Sequence, residues 1–438
     1  MVMLKQHHPA GSHHTNPDLE KTLLQLMRHI DGKGFTKASL DYGWYEASWF
    51  RDSSMMILAL CDAHEFLEPK GGHLNKEAEL AAGRSLGFLW STIGKFGDNV
   101  KRALSIDQSS DRFALLENHI PARVGENGYY FTCENDGVQY SDMQSDNKYI
   151  KLRQYDSIPL TLIATERFLH ASGQGALDER TKETIRSSLK DLTAYMIKVY
   201  RTTSANAWEL DEGEVHSYTV ASISRGLRSA MMISERLGVD LSELGSISER
   251  IKEVDRFLED SFVRDGILYK SVNGKGGTLV ASNPNPYVDS SEIFIFTLFK
   301  PKLSEHIEKN TIDKIRRDLF NGNVLPIRYL GDTYFSGGRW LLLGLEFARY
   351  YAEHGMGDSA RSIIEYVTKK YLSASAGGAL PEQELVNPAC PNADMDNWFK
   401  KNGNKVIEEL GWAEAEYLIA AIAYARSIQP ASGGPDAK

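Results

Sequence analysis

Cysteine is scarce in this chain: Cys61, Cys133 and Cys390 are the three it has, an odd number with neither CxxC nor metal-ligand spacing. A disulfide framework is therefore disfavoured, and reduced, buried thiols are expected. Long apolar runs are missing too; the longest, such as Leu341 to Leu345, fall far short of the roughly 18 residues that cross a bilayer. Met1 to Asn16 is polar, carries His7, His8, His13 and His14, and holds no stretch of roughly 7–15 apolar residues of the kind a secretory signal needs. These absences predict a soluble, cytoplasmic protein without a membrane partner. A basic excess is also lacking: 50 Lys and Arg against 59 Asp and Glu leave a formal charge of −9, which on average repels nucleic acid. The expected partner is neutral or small, and a monomer is the default in the absence of any signal for association.

What is present is a composition able to bury a core, with 42% hydrophobic and 25% charged residues. No linker divides the 438 residues, so one large domain is expected over 17–429, between tails at 1–16 and 430–438. The histidine pairs stand outside any periodic segment and are read as tail. Helical spacing begins at Asn16-Pro17, a capping residue and a proline at the first helical position, ahead of Leu19, Leu23, Leu26, Met27 and Ile30. It recurs at Ala78/Ala82/Leu86/Leu89/Ile93, Ile185/Leu189/Leu192/Met196/Val199 and Ile247/Ile251/Val254/Leu258. Segments near 53–66, 157–171, 217–236, 290–299, 310–321, 338–354, 358–372 and 412–427 bring the count to about twelve helices. Strand signals are confined to small hairpins at Gly125 to Phe131 and Gly266 to Val272, the latter followed by a turn at Gly274, Gly276 and Gly277. Long polar, aromatic-rich loops are expected near 95–150 and 373–411. Twelve helices in an undivided chain predict six helical hairpins closed into a double-layered ring. The rival, a helical solenoid, would need a fixed-period repeat.

Five segments concentrate aromatic rings, arginines and carboxylates before helices, the combination that suits a neutral polyhydroxylated ligand. In Tyr42 to Met56, Arg51 and Asp52 stand at the mouth of a helix, where Asp52 could equally be an N-cap. In Asn206 to Ala221, Glu209 follows Trp208, whose ring could take it out of water and favour its protonated form; Asp211, Glu212 and Glu214 read as solvated charge near a helix start. In Val324 to Trp340, Arg328 could clamp vicinal hydroxyls or form a surface ion pair, and Gly337-Gly338 could let backbone approach a ring. In Gly377 to Glu384, Pro381 stiffens the chain before Glu382. In Gly411 to Tyr417, Trp412 has the spacing of a core residue.

Together and in this order, from about Tyr42 to Tyr417, these segments resemble glycoside hydrolase family 15, the glucoamylase family. Tyr45, Trp49, Arg51 and Asp52 look like its Y-x-x-x-W-x-R-D, whose arginine and aspartate hold the non-reducing-end glucose. Trp208-Glu209, followed by His216 to Thr219, looks like the general-acid segment, and Leu380-Pro381-Glu382-Gln383 like the general-base segment. Arg328 ahead of Asp332-Thr333-Tyr334 is similar to the sugar-clamping R-Y-x-x-D-T-Y, and Trp412 to the aromatic before the final barrel helix.

The resemblance implies an all-α (α/α)6 barrel and an inverting hydrolase. Glu209 would be the acid, Glu382 the base, and Tyr45 a holder of the water, with Trp49, Arg51, Asp52, Trp208, Arg328 and Trp412 around the sugar and no metal or organic cofactor. The implied product is β-glucose from the non-reducing ends of short α-1,4- or α-1,6-linked gluco-oligosaccharides. Leu210 stands where fungal members carry a second Glu, and no tryptophan appears just before Gln154-Tyr155-Asp156, so the leaving-group site departs from the family pattern. An α,α-trehalose hydrolase and a non-catalytic sugar-sensing protein are the alternatives.

Overall fold

A computed structural model describes residues 17–41, 45–68, 72–106, 120–129, 132–135, 138–141, 153–211, 213–273, 288–332, 334–373, 378–385 and 406–429. Both tails, Glu212, Thr333, Gly377, Cys390 and the turn at Gly274, Gly276 and Gly277 lie outside the described residues.

The periodic segments become helices where their spacing predicts them. In chain order these are α1 (Pro17–Arg28), α2 (Phe50–Leu67), α3 (His73–Lys95) and a short α4 (Gly97–Ser105). Then follow α5 (Ser157–Ser172), α6 (Glu179–Val199), α7 (Ser217–Leu237), α8 (Ile247–Phe262) and α9 (290–299). The chain closes with α10 (Glu305–Ile315), α11 (Leu341–Glu353), α12 (Gly357–Val367) and α13 (Gly411–Ile428). α4 falls inside the segment expected to be a loop. Its buried face consists of Val100 and Ala103 alone, too short a stripe for periodicity to reveal.

Two kinds of helix alternate, and their sequences say why. α1, α8 and α12 carry one apolar stripe and leave the opposite face to solvent, whereas α2, α5 and α13 are apolar nearly all round and must be enclosed. The enclosed set forms a ring: α2 packs on α5, α5 on α7, α7 on α9, α9 on α11, α11 on α13, and α13 returns to α2. The striped helices lie outside it, α3 against α2, α8 against α7 and α12 against α11 and α13. This is the double-layered (α/α)6 barrel expected from the helix count.

Short antiparallel ladders lead into the inner helices. Ser48–Trp49 pairs with Arg123–Val124 before α2, Glu214–His216 with Ser271–Asn273 before α7, and Arg339–Trp340 with Gln383–Glu384 before α11. A bridge from Ser39 to Leu410 does the same before α13. The residues preceding α2, α7, α11 and α13 are extended and make no side-chain cap, so first-turn N–H groups at this rim stay free of capping side chains. One expected hairpin is displaced. Residues 125–129 form a turn closed by Gly125 N–H on the Tyr129 carbonyl (2.9 Å), and the ladder follows at Thr132–Asn135 with Val138–Ser141. Among the described residues, no helix is long and apolar enough to cross a membrane.

Candidate active site

The entrances to the inner helices surround a cavity of about 370 Å³ lined by Tyr45, Trp49, Arg51, Asp52, Trp208, Glu209, Arg328, Glu382 and Trp412. All nine residues singled out in the sequence thus meet in one place. Arg123, Leu210, Tyr329, Tyr334 and Trp340 also line it.

α2 supplies Arg51 and Asp52 from its first turn. The helix begins at Phe50 with Trp49 as the preceding extended residue, so Asp52 lies inside the helix and is not the cap it could have been. Arg51 donates from Nε to Asp156 Oδ2 (2.9 Å) and from Nη1 to the Ala207 carbonyl (2.7 Å), while buried Nη2 has no acceptor among the described residues. Burial lifts the Asp52 carboxyl to about 7, against the pull of Arg51 and with the help of the charge on Glu209.

The two glutamates reach the cavity from loops held in different ways. Glu209 has a positive φ of 64°, an unfavourable conformation for a residue with a Cβ. Asn206 holds that turn. Its Oδ1 accepts the N–H of Trp208 (2.8 Å) and of Leu210 (3.0 Å), and its carbonyl accepts the Glu209 N–H (3.0 Å). The polar partner of Glu209 is not the adjacent Trp208 but Trp49, whose Nε1–H donates to Oε1 at 2.6 Å. Trp208 instead donates to both carboxylate oxygens of Asp289 at 2.9 Å.

Glu382 is 3% exposed and precedes the strand paired with Arg339–Trp340. Its N–H donates to the Ile407 carbonyl (3.0 Å), Gln383 Nε2 donates to Oε2 (3.2 Å) and the Tyr45 hydroxyl to Oε1 (3.3 Å). Burial raises its carboxyl to about 7, opposed first by the charge of Arg328 and then by donors including Gln383, Tyr334 and Tyr45. Burial raises the Tyr45 hydroxyl well above its ordinary range, so it remains a donor, and it meets the Tyr334 hydroxyl at 3.0 Å. Gly338 lets this strand approach closely, since a Cβ there would fall 1.9 Å from Gln383 Oε1.

Arg328 is 4% exposed, which removes the surface-ion-pair reading. It grips Asp332 with two bonds, Nε to Oδ2 (2.8 Å) and Nη2 to Oδ1 (2.6 Å), among the rings of Tyr334 (4.8 Å), Trp340 (4.9 Å) and Trp208 (5.2 Å). Trp412 is buried as its spacing predicts and is also a cavity wall, with Arg51 5.8 Å from its ring centre. The sequence marked Tyr334 only as the end of the motif around Arg328 and assigned no role to Trp340, although it stands in the same segment. Asp156, Asp289 and Arg123 carried no local signal, since each matters through a partner distant in sequence.

A larger cavity, about 450 Å³, opens at the other end of the inner helices. Its charges largely cancel: Arg167 pairs with Asp62 and Glu65, both at 2.6 Å, and Arg225 with Glu166 at 2.7 Å. The carboxyls of Asp52 and Glu382, raised toward neutrality, lie in the first cavity.

A helical barrel in which three carboxyls, three arginines and several indole and phenol rings converge on one cavity has the make-up of a glycoside hydrolase site. The chain belongs to glycosyl hydrolases family 15, whose model matches residues 133–377, more than half of its length. Solved structures agree in fold. A glycosidase variant in complex with glucose superposes with a TM-score of 0.71 at 19% identity, over 94% of this chain and 99% of that one. Glucoamylase from Saccharomycopsis fibuligera gives 0.62 at 15% identity, over 94% and 95%. A bacterial glucoamylase complexed with acarbose gives 0.59 at 17% identity, over 94% of this chain and 58% of the other. No curated protein sequence matches the chain.

Proposed function

We propose that this glucoside hydrolase is inverting and exo-acting, and releases β-glucose from the non-reducing ends of short α-1,4- or α-1,6-linked gluco-oligosaccharides. Glu209 donates its proton to the glycosidic oxygen as the C1–O bond breaks. Glu382 takes a proton from a water that adds to the opposite face of C1. Afterwards Glu209 is ionised and Glu382 protonated, and exchange with solvent resets both. The observation that carries this reading is a shared tether. The tilted ring pair Tyr45 and Trp49, centres 5.2 Å apart, donates from one member to Glu382 and from the other to Glu209, so a single aromatic pair orients both carboxyls within one cavity. Tyr45 and Tyr334 would hold the water beside Glu382. Asp52 and Arg51 Nη2 would take sugar hydroxyls and steady positive charge developing at C1. The cavity volume, near the low end of the ~300–1,000 Å³ of small-molecule sites, favours a short sugar end over a polymer threaded through. The glucose and acarbose complexes of the structural neighbours support the same ligand class.

The deciding experiment follows fresh product by proton NMR on maltose, isomaltose, panose and trehalose. β-Glucose appearing first from the gluco-oligosaccharides is expected. α-Glucose appearing first would mean a covalent intermediate and carboxyls only roughly 5–5.5 Å apart, and turnover of trehalose alone would transfer the site to that disaccharide.

The burial of Glu382 adds a pH prediction. A base must be ionised, and a carboxyl raised to about 7 is protonated below that pH and ionised above it. Thus the limb of kcat/KM that this base sets should climb about tenfold per pH unit as pH rises toward about 7. A profile already flat across the two units below neutrality contradicts a buried base at this position.

A further inference from the structure

Two carboxyls that the proposed reaction does not use, Glu346 on α11 and Glu416 on α13 one turn beyond Trp412, are wholly buried. Glu416 Oε1 accepts the Trp412 Nε1–H at 2.9 Å. Glu346 Oε1 accepts Arg349 Nη1 at 3.3 Å and the Thr297 hydroxyl. The other oxygen of each, Glu346 Oε2 and Glu416 Oε2, is buried without a conventional donor among the described residues, yet the two carboxyls are within hydrogen-bond reach of each other. Buried polar atoms are seldom left unpaired, and two touching ionised carboxylates away from water repel strongly. One proton between them answers both problems.

We propose that Glu416 and Glu346 share a single proton, and that this pair is a positioning device fixing the Trp412 indole as a wall of the sugar cavity. Arg349, 3.3 Å from Glu346, assigns the negative charge to Glu346 and the proton to Glu416. Burial acts in the same direction, holding the Glu416 carboxyl protonated well above the ordinary carboxylate range. Glu416 then donates to Glu346 through one oxygen and accepts from Trp412 through the other. The indole cannot turn over without breaking its N–H bond, and its face stays toward Arg51. Glu416 is therefore a positioning residue, separated from the reacting atoms by Trp412. Its kinetic consequence rests on the reading of the cavity as a sugar site; the shared proton does not.

The test uses the full chain with Glu416→Gln and Glu416→Met. Glutamine keeps the acceptor for Trp412 and offers an N–H in place of the proton, so KM and kcat should stay within about twofold of the starting protein. Methionine has similar volume but neither group, and should raise KM about tenfold with a much smaller change in kcat. In the infrared difference spectrum between the starting protein and Glu416→Gln, a protonated carboxylic-acid carbonyl band should be lost. Three results overturn the proposal: glutamine as damaging as methionine, a methionine variant with unaltered KM, or no carboxylic-acid band in the difference. Should the methionine variant fail to fold, the glutamine kinetics and the infrared band still decide. A starting protein that turns over none of the sugars would defeat the function proposed above, while the infrared band would continue to test the proton.

Discussion

Glu382→Gln is expected to lower kcat on maltose or isomaltose about a thousandfold while the Kd of the disaccharide changes by less than about threefold. The substitution is close to isosteric, and the backbone on either side is held independently. The Glu382 N–H reaches the Ile407 carbonyl at 3.0 Å, and the next two residues pair with Arg339–Trp340. The Tyr45 hydroxyl can donate to an amide oxygen as it does to a carboxylate oxygen. What disappears is the capacity to take a proton from water. General-base assistance contributes about 10²–10⁴-fold, and the enclosed setting of this carboxyl argues against bulk solvent replacing it. Paired calorimetric titration and turnover assays separate the two quantities. Undiminished turnover by the glutamine variant would remove Glu382 from the reaction.

Glu209→Gln should produce a loss that depends on the leaving group. On a disaccharide, whose departing alkoxide needs a proton, the expected drop in kcat is about 10²–10⁴-fold. On an aryl glucoside whose phenolate departs unaided, it should be about tenfold or less. The contrast can be read cleanly because the side chain is held at Oε1 by Trp49 Nε1 at 2.6 Å, a bond an amide oxygen can still accept. Its unusual backbone conformation is fixed by Asn206 and not by the carboxyl. Equal losses on both substrates would show that the substitution damages the site generally and would deprive Glu209 of its role as acid.

Helix number and order were legible because periodicity is local. A stripe such as Ile247/Ile251/Val254/Leu258 needs only its own turn geometry to indicate a helix with one buried face. The kinds of residue a sugar site requires were legible as well, since Tyr45, Trp49, Arg51, Asp52, Trp208, Glu209, Arg328, Glu382 and Trp412 stand in segments at helix starts, and every one of them lines the cavity. α4 was not legible, because two buried residues make no period. The pairings inside the site were also hidden. Trp49 and Glu209 are 160 positions apart, and Tyr45 and Glu382 are 337 apart. Asp156, 105 positions from Arg51, becomes its partner through closure of the ring alone.

The chain's local chemistry therefore settles which helices form, which of them must be enclosed, and which side chains are available at their entrances. Return of α13 to α2 settles the rest: which carboxyl faces which donor, how far burial moves Glu382 and Asp52 toward neutrality, and why Glu346 and Glu416 come within hydrogen-bond reach. Those properties belong to distances and dielectric surroundings, and neither exists until six inner helices have closed on one another.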